Sequence, residues 1–414
     1  MFANALSLYR NAYSGLSSPT WWLSLIMLIN RSGTMVLPFM TIYLISPEVG
    51  YSIGQAGIVM GLFGLGAVAG GYLGGWLTDK IGFSRIQFMA LIGGGVLFMI
   101  LGQMHSFSGI CIMSFLLSMV NESFRPANAA AIAYYSTPEN RTRSFSLNRL
   151  AINLGWAVGS AAGGLIAAYR YELLFWVDGC TNIAAGILML FLLPPARQRA
   201  PAAAINATPV DTTQTAYRDK IFLWFLLFTT IFAGCFFQVF NNLSAYFKNV
   251  LHFSEQYIGM LNAINGLLIT LVEMVLVFKL EGRHNKLYYI TLGVLLCGLA
   301  YCMLNVFHMN AGLTIVMIVI ITFGEMLSMP FMNSYWIARS AHHNRGQYAG
   351  LFTIAWSVAQ AIGPFLGSQV ADRAGWTTLW WTVSGLFFIS SLGFYIMYRR
   401  DHARRVLTSA THQL

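Results

Sequence analysis

Residues 53–105 read IGQAGIVMGLFGLGAVAGGYLGGWLTDKIGFSRIQFMALIGGGVLFMILGQMH. Two apolar segments flank one short polar stretch, TDKIGFSR at 78–85. A membrane-spanning α-helix needs about 20 consecutive, mostly apolar residues, and each segment is about that long. The pattern therefore predicts two spanning helices joined by a tight, charged turn.

Similar apolar segments recur along the whole chain of 414 residues, of which 57% are hydrophobic and 9% are charged. A soluble domain carries roughly 25% charged residues, so this chain has too little charge to cover a water-facing surface. We therefore expect an all-α membrane protein with twelve transmembrane helices, solvated by the lipid bilayer. The predicted spans are residues 20–45, 53–77, 86–105, 108–135, 144–168, 173–193, 221–246, 256–278, 287–307, 312–337, 347–370 and 377–398.

The basic residues lie in short clusters at the chain ends and in alternate loops. The intervening loops contain only Arg170, Lys248 and Arg373. Because Lys and Arg concentrate on the cytoplasmic side, this asymmetry predicts a multi-pass protein of the cell membrane (inner or plasma membrane) with both termini in the cytoplasm. The basic residues form no single patch, so we expect no nucleic-acid partner.

The chain is predicted to consist of two similar halves. Residues 194–219 are the least hydrophobic long stretch and are predicted to form a cytoplasmic linker between six-helix bundles at 1–193 and 220–414. One spacing relates four pairs of residues: Pro126 and Pro330, Arg141 and Arg345, Gly159 and Gly363, and Gly163 and Gly367. This internal repeat indicates two pseudo-symmetric halves.

The turn after span two reads GWLTDKIGFSR at 75–85. Gly75 is predicted to let two helices pack closely, and Gly82 to form a tight turn. Asp79, at a helix end, can pair with an arginine or with a facing helix N-terminus. A solvated turn with ordinary topology charges is the alternative interpretation.

This turn resembles the signature G-x-L-a-D-r-x-G-r-r of the major facilitator superfamily, and the resemblance extends over the full chain. It implies a twelve-span transporter of the alternating-access type. It also implies that Gly75, Asp79, Lys80, Gly82 and Arg85 latch the cytoplasmic side shut in one state. The corresponding stretch of the second half, residues 279–286, lacks the Asp-x-x-Gly pattern, so the latch is predicted to be asymmetric.

Span five contains GWAVGSAAGG at 155–164. This segment is similar to the motif G-x-x-x-G-P-x-x-G-G of drug/proton antiporters, with Ser160 in place of the proline. A proline occurs instead in span eleven, at Pro364. Small residues four apart also provide a flat face for helix packing without any antiport chemistry, so both interpretations stay open.

Polar side chains within the spans are a second candidate site, because polar groups at bilayer depth are costly and usually functional. The resemblance implies that spans one, four, seven and ten line a central cavity. The predicted cavity residues are Asn30, Arg31, Asn121, Arg125, Asn128, Gln238, Asn241, Asn242, Asn262, Asn333 and Tyr335. Asn121, Arg125 and Asn128 are spaced i, i+4 and i+7, so they are predicted to share one helix face.

Three carboxylates are candidates for proton coupling. Glu325 has no basic residue nearby in sequence, and its segment resembles the G-E-x(4)-P stretch of span ten in some proton-driven multidrug antiporters. Glu122 can pair with Arg125 at i, i+3 and can face Arg31, which predicts an ion pair or gate that titrates when it breaks. Glu273 shares a helical stripe with Asn262. For each, a buried polar residue that satisfies a neighbour is the alternative.

Several other functions are excluded or disfavoured. Asp178 and Glu172 are explained by an interfacial position near the outer end of span six. The histidines and cysteines show no metal-type spacing, so we expect no metal site. No phosphate-binding loop is present, which leaves an ion gradient, and no cofactor, as the energy source. No catalytic arrangement of nucleophile and base stands out, so we expect no enzyme.

Three functions remain. The favoured one is a proton-coupled exporter of lipophilic or amphipathic small molecules, similar to the drug/proton antiporters. The second is a proton-coupled importer of a small polar or zwitterionic solute such as a peptide, an amino-acid-like molecule or a sugar. The third is a membrane sensor that does not transport. In the first two cases the partner is a small-molecule substrate, and we expect the protein to be monomeric.

Overall fold

The computed structural model describes residues 15–137, 140–194, 215–280, 282–340 and 345–411. Most of the predicted linker, residues 195–214, therefore lies outside the described residues. The side chains of Arg141 and Arg345, which belong to the predicted repeat, lie outside them too. Within the described residues, all regular secondary structure is helical.

The helices of the first half follow the apolar segments closely. Span one consists of Ser18–Ser32 and Val36–Ile45, span two of Ile53–Ile81, span three of Phe83–Leu101, span four of Phe107–Glu122 and Phe124–Tyr135, span five of Arg141–Tyr169, and span six of Glu172–Leu192.

The second half repeats this pattern after a short 3₁₀ turn, Ala216–Arg218. Span seven consists of Lys220–Phe236, the 3₁₀ turn Phe237–Phe240 and Asn242–Asn249, span eight of Glu255–Leu280, span nine of Lys286–Val306, span ten of Ala311–Arg339, span eleven of Arg345–Ala374, and span twelve of Trp376–Thr411. Twelve segments among the described residues are long and apolar enough to cross a membrane, which confirms the predicted number.

Polar residues at the helix starts satisfy backbone donors that have no partner within the helix. Ser106 accepts a hydrogen bond from the N–H of Gly109 at 3.2 Å, and Asn310 accepts one from Leu313 at 3.0 Å. Asn285 caps span nine by accepting from Leu287 at 3.0 Å. These caps fix where spans four, nine and ten begin.

The chain forms two compact units. Unit one contains Met1–Tyr51, Ile58–Pro201 and Phe253–Thr270, and unit two contains Ser52–Gly57, Ala202–His252 and Leu271–Leu414. The first turns of span two thus belong to unit two, because Gly57 lies against Ser368 of span eleven. The first turns of span eight belong to unit one, because Gly259 lies against Ser160 and Gly164 of span five. The predicted boundaries of the two bundles stay a prediction.

Unit one depends on close contacts between helices that carry glycine. A Cβ atom at Gly66 would lie 2.3 Å from the carbonyl oxygen of Phe115, and one at Gly70 would lie 2.2 Å from that of Met119. At Gly74 it would lie 2.5 Å from the Cα atom of Ser123. Spans two and four therefore touch backbone to backbone, as small residues allow in membranes.

Unit two combines glycine contacts with a core of aromatic rings. Gly324 of span ten lies against Gly293 of span nine, where a Cβ atom would lie 2.7 Å from the Gly293 carbonyl oxygen. The Phe232 ring of span seven lies 5.8 Å from the Phe387 ring of span twelve, and Phe387 stacks on Tyr301 of span nine at 5.5 Å. Aromatic contacts of this kind stabilise the packing beyond the area they bury.

Candidate functional site

The turn between spans two and three is a single residue. Span two ends at Ile81 and span three begins at Phe83. Gly82 between them has φ of 91°, a conformation that side chains other than glycine rarely adopt. The prediction that Gly82 forms a tight turn is confirmed.

The structure assigns the close helix contact near this turn to a different glycine from the predicted one. A Cβ atom at Gly75 would lie 3.9 Å from Cβ of Pro126, an ordinary van der Waals contact. The neighbouring Gly74 is the residue without room for a side chain. The prediction for Gly75 was wrong because adjacent helix residues point about 100° apart, and Gly74 is the one that faces span four.

The charged residues of the turn are exposed. Asp79 and Arg85 both face solvent, and within the described part of the chain Asp79 makes no ion pair. Nζ of Lys80 lies 3.8 Å from the centre of the Trp76 ring, a cation–π contact one turn apart on span two. The latch role of Asp79, Lys80 and Arg85 therefore stays a prediction.

Span one is broken at residues 33–35, and a carboxylate from span six caps the break. Oδ1 of Asp178 accepts from the N–H of Met35 at 2.9 Å, and Oδ2 accepts from Met35 at 3.0 Å and from Val36 at 2.8 Å. Asp178 is 0% exposed. The interfacial explanation for Asp178 was therefore wrong. Glu172 pairs with Arg170 at 2.6 Å on the surface, which agrees with its interfacial explanation.

A second polar contact joins the first helix of span one, Ser18–Ser32, to span six. Nδ2 of Asn30 donates to Oδ1 of Asn182 at 2.7 Å, and Nδ2 of Asn182 donates to the Asp178 carbonyl at 2.8 Å. Asn30 is buried by these contacts. Asn30 was predicted to line a cavity, and the structure places its amide between two helices of unit one.

The glycines of span five lie against the same break. A Cβ atom at Gly155 would lie 2.7 Å from Cβ of Arg31, and one at Gly159 would lie 2.8 Å from the Ser32 carbonyl oxygen. At Gly163 it would lie 3.1 Å from Cβ of Met35. The motif that resembles that of drug/proton antiporters thus forms the packing face for span one, in agreement with the helix-packing interpretation.

Spans one and four contribute a charged cluster. Nη2 of Arg125 lies 2.9 Å from Oε2 of Glu122, which confirms the ion pair predicted from their spacing. The Glu122 side chain is 10% exposed, whereas that of Arg125 is 67% exposed. Arg31 interacts electrostatically with both. An exposed guanidinium in a span faces water, because contact with lipid is costly.

Span four is divided at Ser123, between the helices Phe107–Glu122 and Phe124–Tyr135. Ser123 has a φ of −64° and a ψ of −20°, which are helical values, and the shared face of Asn121, Arg125 and Asn128 stays a prediction. Asn121 lies beside Gly94 of span three. Asn128 is buried between Gln87 of span three and Asn148 of span five, with amide hydrogen bonds of 3.2 Å to each. Only Arg125 of the three is exposed to solvent.

In unit two, polar residues of span seven bond to the part of span eleven around Pro364. Nε2 of Gln238 donates to the Gly363 carbonyl at 2.7 Å, and Nδ2 of Asn242 donates to Oε1 of Gln238 at 2.5 Å. Ser368 donates to Oδ1 of Asn242 at 2.8 Å. The Gln238 amide fills the space that a Cβ atom at Gly367 would need. Gln238 and Asn242 thus satisfy carbonyls beside a helix-interior proline, Pro364.

The remaining predicted cavity residues are spread over spans seven, eight and ten. Asn241 is buried and donates to the Phe237 carbonyl at 3.1 Å. Asn262 is buried, and its Nδ2 has no hydrogen-bond partner among the described residues. Asn333 is exposed and donates to the Met329 carbonyl at 3.3 Å. The Tyr335 ring lies 4.7 Å from that of Phe225.

Glu325 is in the interior of unit two. It is 4% exposed and interacts electrostatically with Cys297 and Tyr301 of span nine. Glu273 of span eight is partly buried. The structure brings Arg31, Glu122 and Arg125 together in unit one, while Glu325 and Glu273 belong to unit two.

One cluster at the start of span seven was not predicted, because Asp219 falls in the predicted linker. Asp219 accepts from Nη2 of Arg339 at 2.7 Å and from the Tyr348 hydroxyl at 2.8 Å, and it caps span seven through Ile221 at 3.1 Å. Burial alone would raise the pKa of this carboxyl, but the hydrogen bonds from Arg339 and Tyr348 outweigh burial and lower it. This cluster joins the ends of spans seven, ten and eleven.

A cavity of about 610 Å³ lies in unit two, among spans seven, eleven and twelve. Its wall is almost entirely apolar and includes the partly exposed side chains of Val358, Ile362 and Leu366. Gln238 is the one predicted cavity residue in its wall, and Arg373 also lines it. A cavity with this lining suits an apolar or amphipathic molecule.

The sequence profile of the Major Facilitator Superfamily matches residues 22–364 and 332–413, which together cover nearly the whole chain. The chain belongs to the Major Facilitator Superfamily. As a major facilitator it is a multi-pass membrane transporter and not an enzyme.

Three proteins that are similar to this chain have names that refer to different compounds. A Na(+), Li(+), K(+)/H(+) antiporter of Planococcus maritimus is 24% identical over 84% of this major facilitator and 88% of its own length. The quinolone resistance protein NorA of Staphylococcus aureus is 22% identical over 82% of this chain and 86% of its own. A solved peptide transporter of the POT family, in complex with alafosfalin, has a TM-score of 0.77 at 17% identity, covering 94% of this chain and 96% of that one. At this identity the likeness concerns the fold alone.

Proposed function

We propose that this major facilitator is a proton-coupled secondary transporter that exports lipophilic or amphipathic small molecules. The observation that carries the proposal is the cluster of Arg31, Glu122 and Arg125, in which a nearly buried carboxylate is paired with an arginine that is largely exposed to water. A carboxylate changes its proton affinity when a neighbouring cation moves away. A substrate that attracts or displaces Arg125 therefore changes the charge state of Glu122.

The export of lipophilic compounds is supported by two further observations. NorA is named for resistance to quinolones, which are amphipathic aromatic compounds. The apolar cavity of unit two has lining side chains suited to aromatic or aliphatic groups. Glu325, buried beside Tyr301 and Cys297, is a second proton-coupling candidate in that unit.

One observation favours import of a zwitterion as the second candidate function. The Arg125 guanidinium is exposed, and its planar donors match the carboxylate of a peptide or an amino-acid-like molecule. In that case the solute carboxylate would replace Glu122 as the partner of Arg125.

Proton release from everted membrane vesicles tests the proposal. Vesicles are acidified by respiration, and the recovery of acridine orange fluorescence is measured after addition of ethidium, norfloxacin, dialanine, NaCl or KCl. We expect recovery with ethidium or norfloxacin, and we expect Glu122→Gln to abolish it because the glutamine cannot carry a proton. Glu325→Gln is expected to reduce it at least tenfold.

Glu172→Gln is the matched control, since Glu172 pairs with Arg170 on the surface, and it should retain wild-type recovery. Recovery that occurs only in vesicles preloaded with dialanine would favour the importer, because a symporter carries the solute and protons out of the lumen together. A response to NaCl or KCl alone would make the substrate a metal cation. Full recovery with ethidium in Glu122→Gln would contradict the role given to that carboxylate.

A further inference from the structure

The break in span one involves two particular backbone donors. In a continuous α-helix the N–H groups of Met35 and Val36 would bond to the carbonyls of Arg31 and Ser32, four residues earlier. Here Asp178 accepts both N–H groups instead, at 2.8–3.0 Å. The carboxylate therefore competes directly with the hydrogen bonds that would join the two parts of span one into one helix.

The carbonyls of Arg31 and Ser32, which accept no N–H group from Met35 or Val36 here, face span five, and that of Arg31 accepts the N–H of Thr34 at 3.1 Å. A Cβ atom at Gly159 would lie 3.1 Å from the Arg31 carbonyl oxygen and 2.8 Å from that of Ser32. Cβ of Arg31 itself lies against Gly155. Gly155 and Gly159 thus leave room for the broken form of span one and lie directly against the backbone at Arg31 and Ser32.

Capping a helix with a buried carboxylate is unfavourable in free energy unless the carboxylate has partners. Asp178 is fully buried, and the free-energy cost of a charge in a membrane interior is several kcal/mol unless it is compensated. Among the described side chains Asp178 has no ion-pair partner, and its two oxygens accept the N–H groups of Met35 and Val36 at the start of the helix Val36–Ile45. A serine or threonine hydroxyl would cap one of these N–H groups, whereas the two oxygens of Asp178 hold both.

We propose that Asp178 is a positioning residue, which keeps span one in two parts and thereby fixes the Arg31 backbone in its place against Gly155 and Gly159. This inference rests on the proposed function, in which Glu122 is a coupling carboxylate. If Met35 and Val36 bonded to Arg31 and Ser32, the helix would become continuous, and Arg31 would rotate relative to the outer half of span one. The electrostatic contact of Arg31 with Glu122 and Arg125 would then change.

Several charged groups lie on the elements that pack near Glu122. They are Arg125 on span four itself, Arg31 on span one, Asp79 and Lys80 at the end of span two, Arg85 on span three, and Arg143 and Arg149 on span five. Arg31 interacts with Glu122 across spans. Its removal takes away a charge that favours the ionised carboxylate, so the pH at which transport is half-maximal should rise.

The test is the pH dependence of ethidium-driven proton release by the full chain in everted vesicles, between pH 6 and pH 9. We expect Arg31→Gln to move the midpoint upward by about one pH unit. Asp178→Asn should move it in the same direction, because the asparagine N–H₂ group opposes the N–H groups of Met35 and Val36. Thr181→Ser, a neighbour that keeps its hydroxyl, is the control and should keep the wild-type midpoint.

Gly159→Ala should shift the midpoint in the same way, because its Cβ atom would crowd the carbonyl oxygens of Arg31 and Ser32 without altering Asp178. If Asp178→Asn does not accumulate in the membrane, the midpoint of Gly159→Ala tests the positioning role. A midpoint shift in Arg31→Gln together with wild-type midpoints in Asp178→Asn and Gly159→Ala would overturn the positioning role and leave the proposed function intact. An unshifted midpoint in Arg31→Gln would overturn both.

Discussion

Gly74→Ala is expected to lower the melting temperature of the purified protein by roughly 5 °C or more, whereas Gly75→Ala should leave it unchanged within about 1 °C. A Cβ atom at Gly74 would lie 2.5 Å from the Cα atom of Ser123, so spans two and four must move apart. At Gly75 the nearest atom would lie 3.9 Å away. Thermal unfolding in detergent, followed by tryptophan fluorescence, measures both.

The adjacent residues Gly70 and Gly71 allow the same comparison one turn earlier on span two. Gly70→Ala should be as destabilising as Gly74→Ala, because its Cβ atom would lie 2.2 Å from the Met119 carbonyl oxygen. Gly71 has nothing within 4 Å, so Gly71→Ala is the matched control. If Gly75→Ala were the damaging change and Gly74→Ala harmless, the rotation of span two against span four would be wrong.

Asp219→Ala is expected to destabilise the protein by about 2–3 kcal/mol, because it removes a helix cap, two hydrogen bonds from Arg339 and one from Tyr348, and leaves Arg339 without its carboxylate partner. The estimate is below that for a fully buried ion pair, since the Asp219 side chain is 15% exposed and that of Arg339 is 30% exposed. Glu172→Ala, at an exposed ion pair of similar length, should have little effect.

The contribution of Asp219 depends on pH in a defined direction. Its pKa is lower in the folded protein than the value of about 3.9 for a free aspartate, because the bonds from Arg339 and Tyr348 outweigh burial. The stability from this group is therefore fully present above about pH 5 and is lost as the pH falls through the folded pKa. The difference in melting temperature between wild type and Asp219→Asn should be constant from pH 7 to pH 5 and shrink below about pH 4.

Local patterns were enough to predict the features that depend on residues close in sequence. The twelve spans follow from apolar length, and Gly82 follows from the need for a positive φ between two helices. The Glu122–Arg125 pair follows from a spacing of three residues on a helix. Each of these features can be predicted without knowing which helices are neighbours in the fold.

The features that were missed depend on a partner helix. Asp178 lies in an apolar segment, which already marks an intramembrane charge, but its partners are backbone N–H groups of span one. No side-chain pattern in the sequence indicates them. Asn128, Gln238 and Asn242 look like cavity residues for the same reason, and only the neighbouring spans show that their amides bond within a unit.

The one-residue turn at Gly82 has a consequence for biosynthesis. Span two ends at Ile81 and span three begins at Phe83. The chain between them is too short to stay in water while only one of the two helices enters the bilayer. We therefore expect spans two and three to enter the bilayer together as a helical hairpin. Their inserted partner, span four, is synthesised only afterwards and docks onto the glycine face that the hairpin already presents.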